Sequence, residues 1–187
     1  MRRIIAGFAL ATVSVMTQAA VLEVQPISQT VHVGDSVIVN ITGSGFSGIV
    51  GGGFNLSYGT SGVLSLGPST NVSLSAPVWD GSFPRTDSAN DATGILADFS
   101  FNQFSGVSGS AKIAQLTFKA AAQGVADLVL SASTSFPFAD MNGVVEVQFG
   151  TGQITVLAVP EPASWILLGA GLGLMVLFRR RQRALPA

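Results

Sequence analysis

The 187-residue sequence has no cysteine, one histidine and few charges of either sign. Without thiols there is no disulfide framework, no thiolate nucleophile and no zinc-thiolate centre, so a packed core must supply the stability. Nucleophilic catalysis needs a nucleophile beside a base that a third group orients. The single histidine, His32 in VHVGD, has no G-x-S-x-G elbow to serve, and GSGFSG at 43–48 lacks that spacing. His32 therefore reads as a surface strand residue. Basic residues are also scarce: between Val21 and Val159 only Arg85, Lys112 and Lys119 stand against nine acidic residues, a net of −6. Such a surface repels phosphate backbones, which excludes nucleic acid as a partner.

The remaining six basic residues lie at the two ends: Arg2 and Arg3, then Arg179, Arg180, Arg181 and Arg183. The opening MRRIIAGFALATVSVMTQAA has a basic start, an apolar run from Ile4 to Met16 and small residues for a peptidase at Thr17, Ala19 and Ala20. This is the order of a secretory signal peptide, residues 1–19. As a helix the run covers only about 20 Å of a ~30 Å hydrocarbon core, too little for a membrane span. A cut after Ala19 suits the small-x-small rule; one after Ala20 would place Gln18 three residues before it.

Helical periodicity is missing from the stretch between the ends. Period-two alternation replaces it, broken every eight to twelve residues by Gly, Ser, Asn and Asp, the pattern of an all-β sandwich or barrel. In SVIVNIT (36–42) Val37, Val39 and Ile41 share one face; in FNLSY (54–58) Phe54, Leu56 and Tyr58 do. ILADFSF (95–101) places Ile95, Ala97, Phe99 and Phe101 inward and leaves Asp98 and Ser100 wet. Leu116 and Phe118 follow, then Ala126, Leu128 and Leu130, then Val145, Val147 and Phe149, and last Ile154 and Val156. Gly34-Asp35, Asn142-Gly143 and Gly150-Thr151-Gly152 supply tight turns. GSGFSGIVGGG (43–53) carries six glycines, with Gly52 and Gly53 marking a bulge or a close backbone approach. The expectation is eight to nine strands in two sheets.

One connection breaks this rhythm, SAPVWDGSFPRTDSANDATG at 75–94. A loop of that length in a small domain is a natural place for partner contacts. Trp79 and Phe83 within it either stack on a sugar ring or anchor a protein partner, or else cover one open end of the core. Asp87, Asn90 and Asp91 make an oxygen-rich cluster that could be offered to calcium, as do Asp140 and Asn142. Neither fits a twelve-residue EF-hand loop and Asx turns explain both, so no metal or other cofactor is expected. Asp80, Asp87, Asp91 and Asp98 could supply a glycosidase pair, but loop aspartates of an acidic exported domain act as turn formers and solubilisers. No catalytic residue is assigned.

Taken in order, VHVGDSVIVNI (31–41), GGFNLSY (52–58), AKIAQLTFKAAAQGVADLVLS (111–131), FADMNGVVEV (138–147) and GQITV (152–156) resemble a cohesin module. The resemblance implies a jelly-roll sandwich over 20–158, related to carbohydrate-binding modules, in a family whose members bind dockerins through one sheet face. Gly59-Thr60-Ser61 stands where the family has an acidic-proline turn, so dockerin binding is not carried over.

The tail, 159–187, is VPEPASWILLGAGLGLMVLFRRRQRALPA. Its Pro160, Glu161 and Pro162, apolar run and Arg179, Arg180 and Arg181 resemble the PEP-CTERM sorting signal of Gram-negative bacteria that export exopolysaccharide. The resemblance implies exosortase as processing partner, cutting near the triplet. Residues 163–178 read as a transmembrane helix of about 24 Å, short and glycine-rich, hence a transient anchor. Its arginines stay cytoplasmic, which places the sandwich on the exported side of the inner membrane. The whole reads as a non-enzymatic binding or scaffolding protein of the envelope, outer surface or polysaccharide matrix. The alternative is a carbohydrate-binding accessory module.

Overall fold

Apolar residues at every second position condense into strands because that period buries one face of each. The computed structural model describes residues 19–67, 72–74, 88–159, 169–172 and 175. Among them are twelve strand segments: β1 Ala20–Gln25, β2 Ser28–His32, β3 Ser36–Ser57, β4 Leu64–Ser65, β5 Val72–Leu74, β6 Ser88–Asn90, β7 Ile95–Ala120, β8 Gly124–Ala132, β9 Ala139–Asp140, β10 Gly143–Val144, β11 Val147–Phe149 and β12 Thr151–Leu157. That differs from the expected eight to nine. β3 and β7 each run unbroken through both layers, while several short segments hug the edges.

β3 and β7 pair antiparallel, and their register slips repeatedly between Ile41 and Gly51 as the two strands turn together from one layer into the other. The first half of β3 lies between β1 and the second half of β7, with β11 beyond β1 and β4 and β5 beyond β7. Its second half lies between β8 and the first half of β7; β12 and then β2 follow β8, and β6 flanks β7. Hydrogen bonding through the shared strands makes one continuous sheet, folded as a sandwich.

The core sits between the layers. Val37, Val39, Ile41, Phe54, Leu56 and Tyr58 point inward as the alternation demands, as do Leu116, Phe118, Leu128, Leu130, Ile154 and Val156. The Tyr58 ring meets Phe118 edge-on at 5.2 Å, and Phe54 packs on Phe99 at 5.0 Å. Each such side chain contributes roughly 1.5–3 kcal/mol, enough in sum to hold a domain without cross-links. Val145, Val147 and Phe149 are only partly buried against this core. Gly52 and Gly53 are the expected close approach: a Cβ at Gly52 would lie 2.7 Å from the Phe138 ring. Gly150 and Gly152 serve as packing positions rather than turn formers, since a Cβ at Gly152 would lie 2.7 Å from Val24.

One stretch departs from simple alternation. In β7 Leu96 is fully buried while Ile95 is 40 % exposed. Phe54 pairs with Phe99 but Leu56 pairs with Leu96, so Asn55 faces two residues, Ala97 and Asp98. This β-bulge shifts the phase by one and corrects the expectation that Ile95 and Ala97 face inward. Asp98 takes the extra residue's left-handed conformation, φ +52°, which Asp tolerates better than most side chains.

The chain enters and leaves at opposite ends. Ala19 lies at the bend of β3, where a Cβ on Gly45 would be 2.8 Å from its carbonyl oxygen. Leu157 pairs with His32 beside the start of β3, and its carbonyl accepts from Val33 N at 2.9 Å.

Candidate functional site

Polar groups near the exit end form a closed centre. Asp91 Oδ1 accepts from Tyr58 Oη and Leu66 N, both at 2.8 Å; Oδ2 accepts from Ser65 Oγ at 2.6 Å and Gly67 N at 3.1 Å. Desolvation would raise this carboxyl, but the bonds from Ser65, Tyr58, Leu66 and Gly67 outweigh it and hold its pKa below the usual carboxylate value. Burial, with the Asp91 hydrogen bond and charge added, pushes the Tyr58 phenol up. Both carboxylate oxygens are thus occupied by protein donors, so Asp91 clasps a loop and offers no open oxygen to calcium. Asn90 Oδ1 accepts from Ala92 N at 3.0 Å, an Asx turn; Asp87 lies outside the described residues. Asp140 Oδ1 likewise accepts from Asn142 N at 2.7 Å and Gly143 N at 2.9 Å, lowering its pKa. Among the described residues no group of three or more His, Cys, Asp or Glu could hold a metal.

A second centre lies at the bulge and was not foreseen. Asp98 N donates to Asn55 Oδ1 at 2.7 Å, Asn55 Nδ2 donates to Ala132 O at 2.9 Å, and Ser133 Oγ donates to Asp98 Oδ1 at 2.7 Å. Ser133 is 3 % exposed and its hydroxyl also accepts from Phe136 N. A serine bonded to a carboxylate invites comparison with hydrolases. His32, however, is at the exit end, exposed, with Nδ1 3.9 Å from Asp35 Oδ2. The knot ties β3, β7 and the end of β8 together, and its serine has no histidine beside it.

Beside the knot, the second layer turns an outward face to solvent. One row crosses it in register: Val129 of β8, Ser57 of β3, Ile95 of β7 and Asn90 of β6. Val129 and Ile95 are 43 % and 40 % exposed, apolar side chains on either side of a serine. A cleft of about 370 Å3 is walled by Phe138, Val144, Val147 and Phe149, with Ser133, Glu146 and Gln148 at its polar positions. The alternation pattern held no sign of this cleft, because its walls come from short, partly buried segments.

Trp79, Phe83 and the sorting residues Pro160, Glu161, Pro162, Arg179, Arg180 and Arg181 lie outside the described residues. Of the expected span, residues 169–172 and 175 are helical, and among the described residues no helix is long and apolar enough to cross a membrane.

Comparison with solved structures gives the class of fold first. A non-cellulosomal cohesin from the hyperthermophilic archaeon Archaeoglobus fulgidus superposes with TM-score 0.59 at 15 % identity, covering 79 % of this chain and 96 % of that one. The seventh ScaB type I cohesin from Pseudobacteroides cellulosolvens gives TM-score 0.59 at 23 % identity over 77 % and 96 %. The third cohesin ScaC of Acetivibrio cellulolyticus, solved in complex with the ScaB dockerin, gives 0.58 at 15 % over 74 % and 99 %. The fold is therefore cohesin-like. Residues 158–182 match the PEP-CTERM protein-sorting motif, the mark of exported, exosortase-processed proteins of Gram-negative bacteria. Among curated proteins none matches this chain.

Proposed function

We propose that this chain is an exported, non-enzymatic binding module. Exosortase cuts it from its tail near Pro160-Glu161-Pro162, and it then holds a protein partner in the envelope or polysaccharide matrix. The observation that carries this reading is the outward row of Val129, Ser57 and Ile95, its two apolar members exposed, on a cohesin-like fold. Apolar side chains separated by a small hydroxyl suit a protein surface laid flat across the sheet. The Gly59-Thr60-Ser61 turn keeps the partner's class open beyond "protein".

The second reading takes glycan as the ligand, favoured by Trp79 and Phe83 in the 75–94 connection. Processed protein recovered from exosortase-positive cells distinguishes the two in pull-down and glycan-array assays. Ser57→Arg should weaken protein capture at least tenfold, about 1.4 kcal/mol, and leave the melting temperature unchanged. Saturable glycan binding abolished by Trp79→Ala would instead establish the second reading.

A further inference from the structure

Resting on the processing reading above, the geometry points to a docking surface for the membrane-embedded processing peptidase: the exit end of the sandwich, around Gly34, Thr60, Ser61, Ala121, Ala122 and Gln123. The first argument is length. Five residues, 158–162, separate the last strand residue, Leu157, from the apolar run at Ala163. Fully extended they reach about 17 Å, and Pro160 and Pro162 each fix their φ, which stiffens the segment. A peptidase that grips the chain near the triplet must hold these same residues. No slack is left, so the folded end lies against the enzyme while the bond is cut.

The second argument is how the exit is built. Leu157 O accepts from Val33 N at 2.9 Å, Gly34 N donates to Ala120 O at 2.8 Å, and Ala121 N donates to Val63 O at 2.8 Å. Gly124, the register partner of Val156, packs on Val63. These bonds gather the turns at 33–35, 59–63 and 121–124 into one platform around the departing chain. Thr60, Ser61, Ala121, Ala122 and Gln123 are exposed on it, and none of them bears an ionisable group.

Charge supplies the third argument. The domain is acidic, yet Glu23, Asp98, Asp127, Asp140 and Glu146 sit along the strands or toward the far end. Among the described residues two carboxylates stand near the exit: Asp91, whose oxygens take four protein donors, and Asp35, half-exposed, which accepts from His32 N at 2.8 Å. The exposed platform residues Thr60, Ser61, Ala121, Ala122 and Gln123 themselves carry no charge, which suits contact with an enzyme embedded among anionic lipids.

The test follows tail removal from the full chain by pulse-chase in exosortase-positive cells. With the native linker, the double variant Ser61→Glu/Ala122→Glu should be cut at least tenfold more slowly. Inserting ten Gly/Ser residues between Val159 and Pro160 in that variant should restore the wild-type rate. Met141→Glu, at the far end and 83 % exposed at that position, should be cut normally, and an unchanged melting temperature of the domain shows that the double variant folds. Wild-type cutting of the double variant at native linker length overturns the docking surface, as does slow cutting that the spacer fails to restore. Sedimentation of the tail-free domain with anionic phosphatidylglycerol vesicles, lost in the double variant, would overturn it too, by assigning the platform to the bilayer. A wild-type chain that is never cut defeats the processing reading itself, a separate and visible result.

Discussion

The Asp91 carboxylate reaches donors far away in sequence, while the Asx turn expected of this residue belongs to Asn90. The carboxylate joins Tyr58, 33 positions earlier, to the backbone at Leu66 and Gly67. Asp91→Ala leaves a buried phenol and two backbone donors without their acceptor. The expected cost is about 2–3 kcal/mol in urea unfolding; Asp91→Asn, which keeps acceptor capacity on one oxygen only, should lose less. The clasp also has a pH window. Because the folded Asp91 pKa is lowered from 3.8, its contribution is present above that value and lost as pH falls through the lower folded pKa. Because the Tyr58 pKa is raised from 10.0, its contribution holds below pH 10 and declines as pH rises beyond it. Melting temperature measured across pH should therefore fall at both extremes, and the acid limb should flatten in Asp91→Ala.

At the scale of the element, straight alternation was legible and interruptions were not. Val37, Val39 and Ile41, or Leu128 and Leu130, declare their faces because a strand's period is fixed by its geometry. The bulge at Ala97–Asp98 depends on what lies across from it: Asn55 on β3 and Ser133 after β8, each distant in sequence. A local pattern cannot contain that information. The one local sign is an aspartate inside an apolar strand, at a position where left-handed φ is tolerated. The long β3 and β7 were hidden for a related reason, since their glycine-rich bends look like loops until the partner strand bends with them. The bulge makes a sharp prediction. Leu96→Ala should cost about 2–5 kcal/mol because it empties a fully buried site, whereas Ile95→Ala should stay within about 1 kcal/mol by denaturant titration. Equal costs would restore the uninterrupted register.

The molecule as a whole is bounded closely by the positions at which it is expected to be cut. Ala20, the first residue after the expected N-terminal cut, is already the first residue of β1 and 6 % exposed. Leu157 ends β12, three positions before the Pro160-Glu161-Pro162 triplet. Two cuts at these boundaries would release the sandwich with almost no overhang, and neither removes a core residue. A cut after Ala20 would be different, since it takes Ala20 from its pairing with Val147 on β11. Mass spectrometry of the processed protein should therefore find a chain beginning at Ala20 and ending between Pro160 and Ala163. A further trim exposes the cost of overstepping the boundary. A chain begun at Glu23 loses Leu22, which is fully buried, together with the pairings of β1 to both β3 and β11 at that end. Its unfolding free energy should drop by at least about 3 kcal/mol, by analogy with deleting a buried leucine side chain. A chain begun at Glu23 that melts like one begun at Ala20 would show that β1 is held by its second half alone.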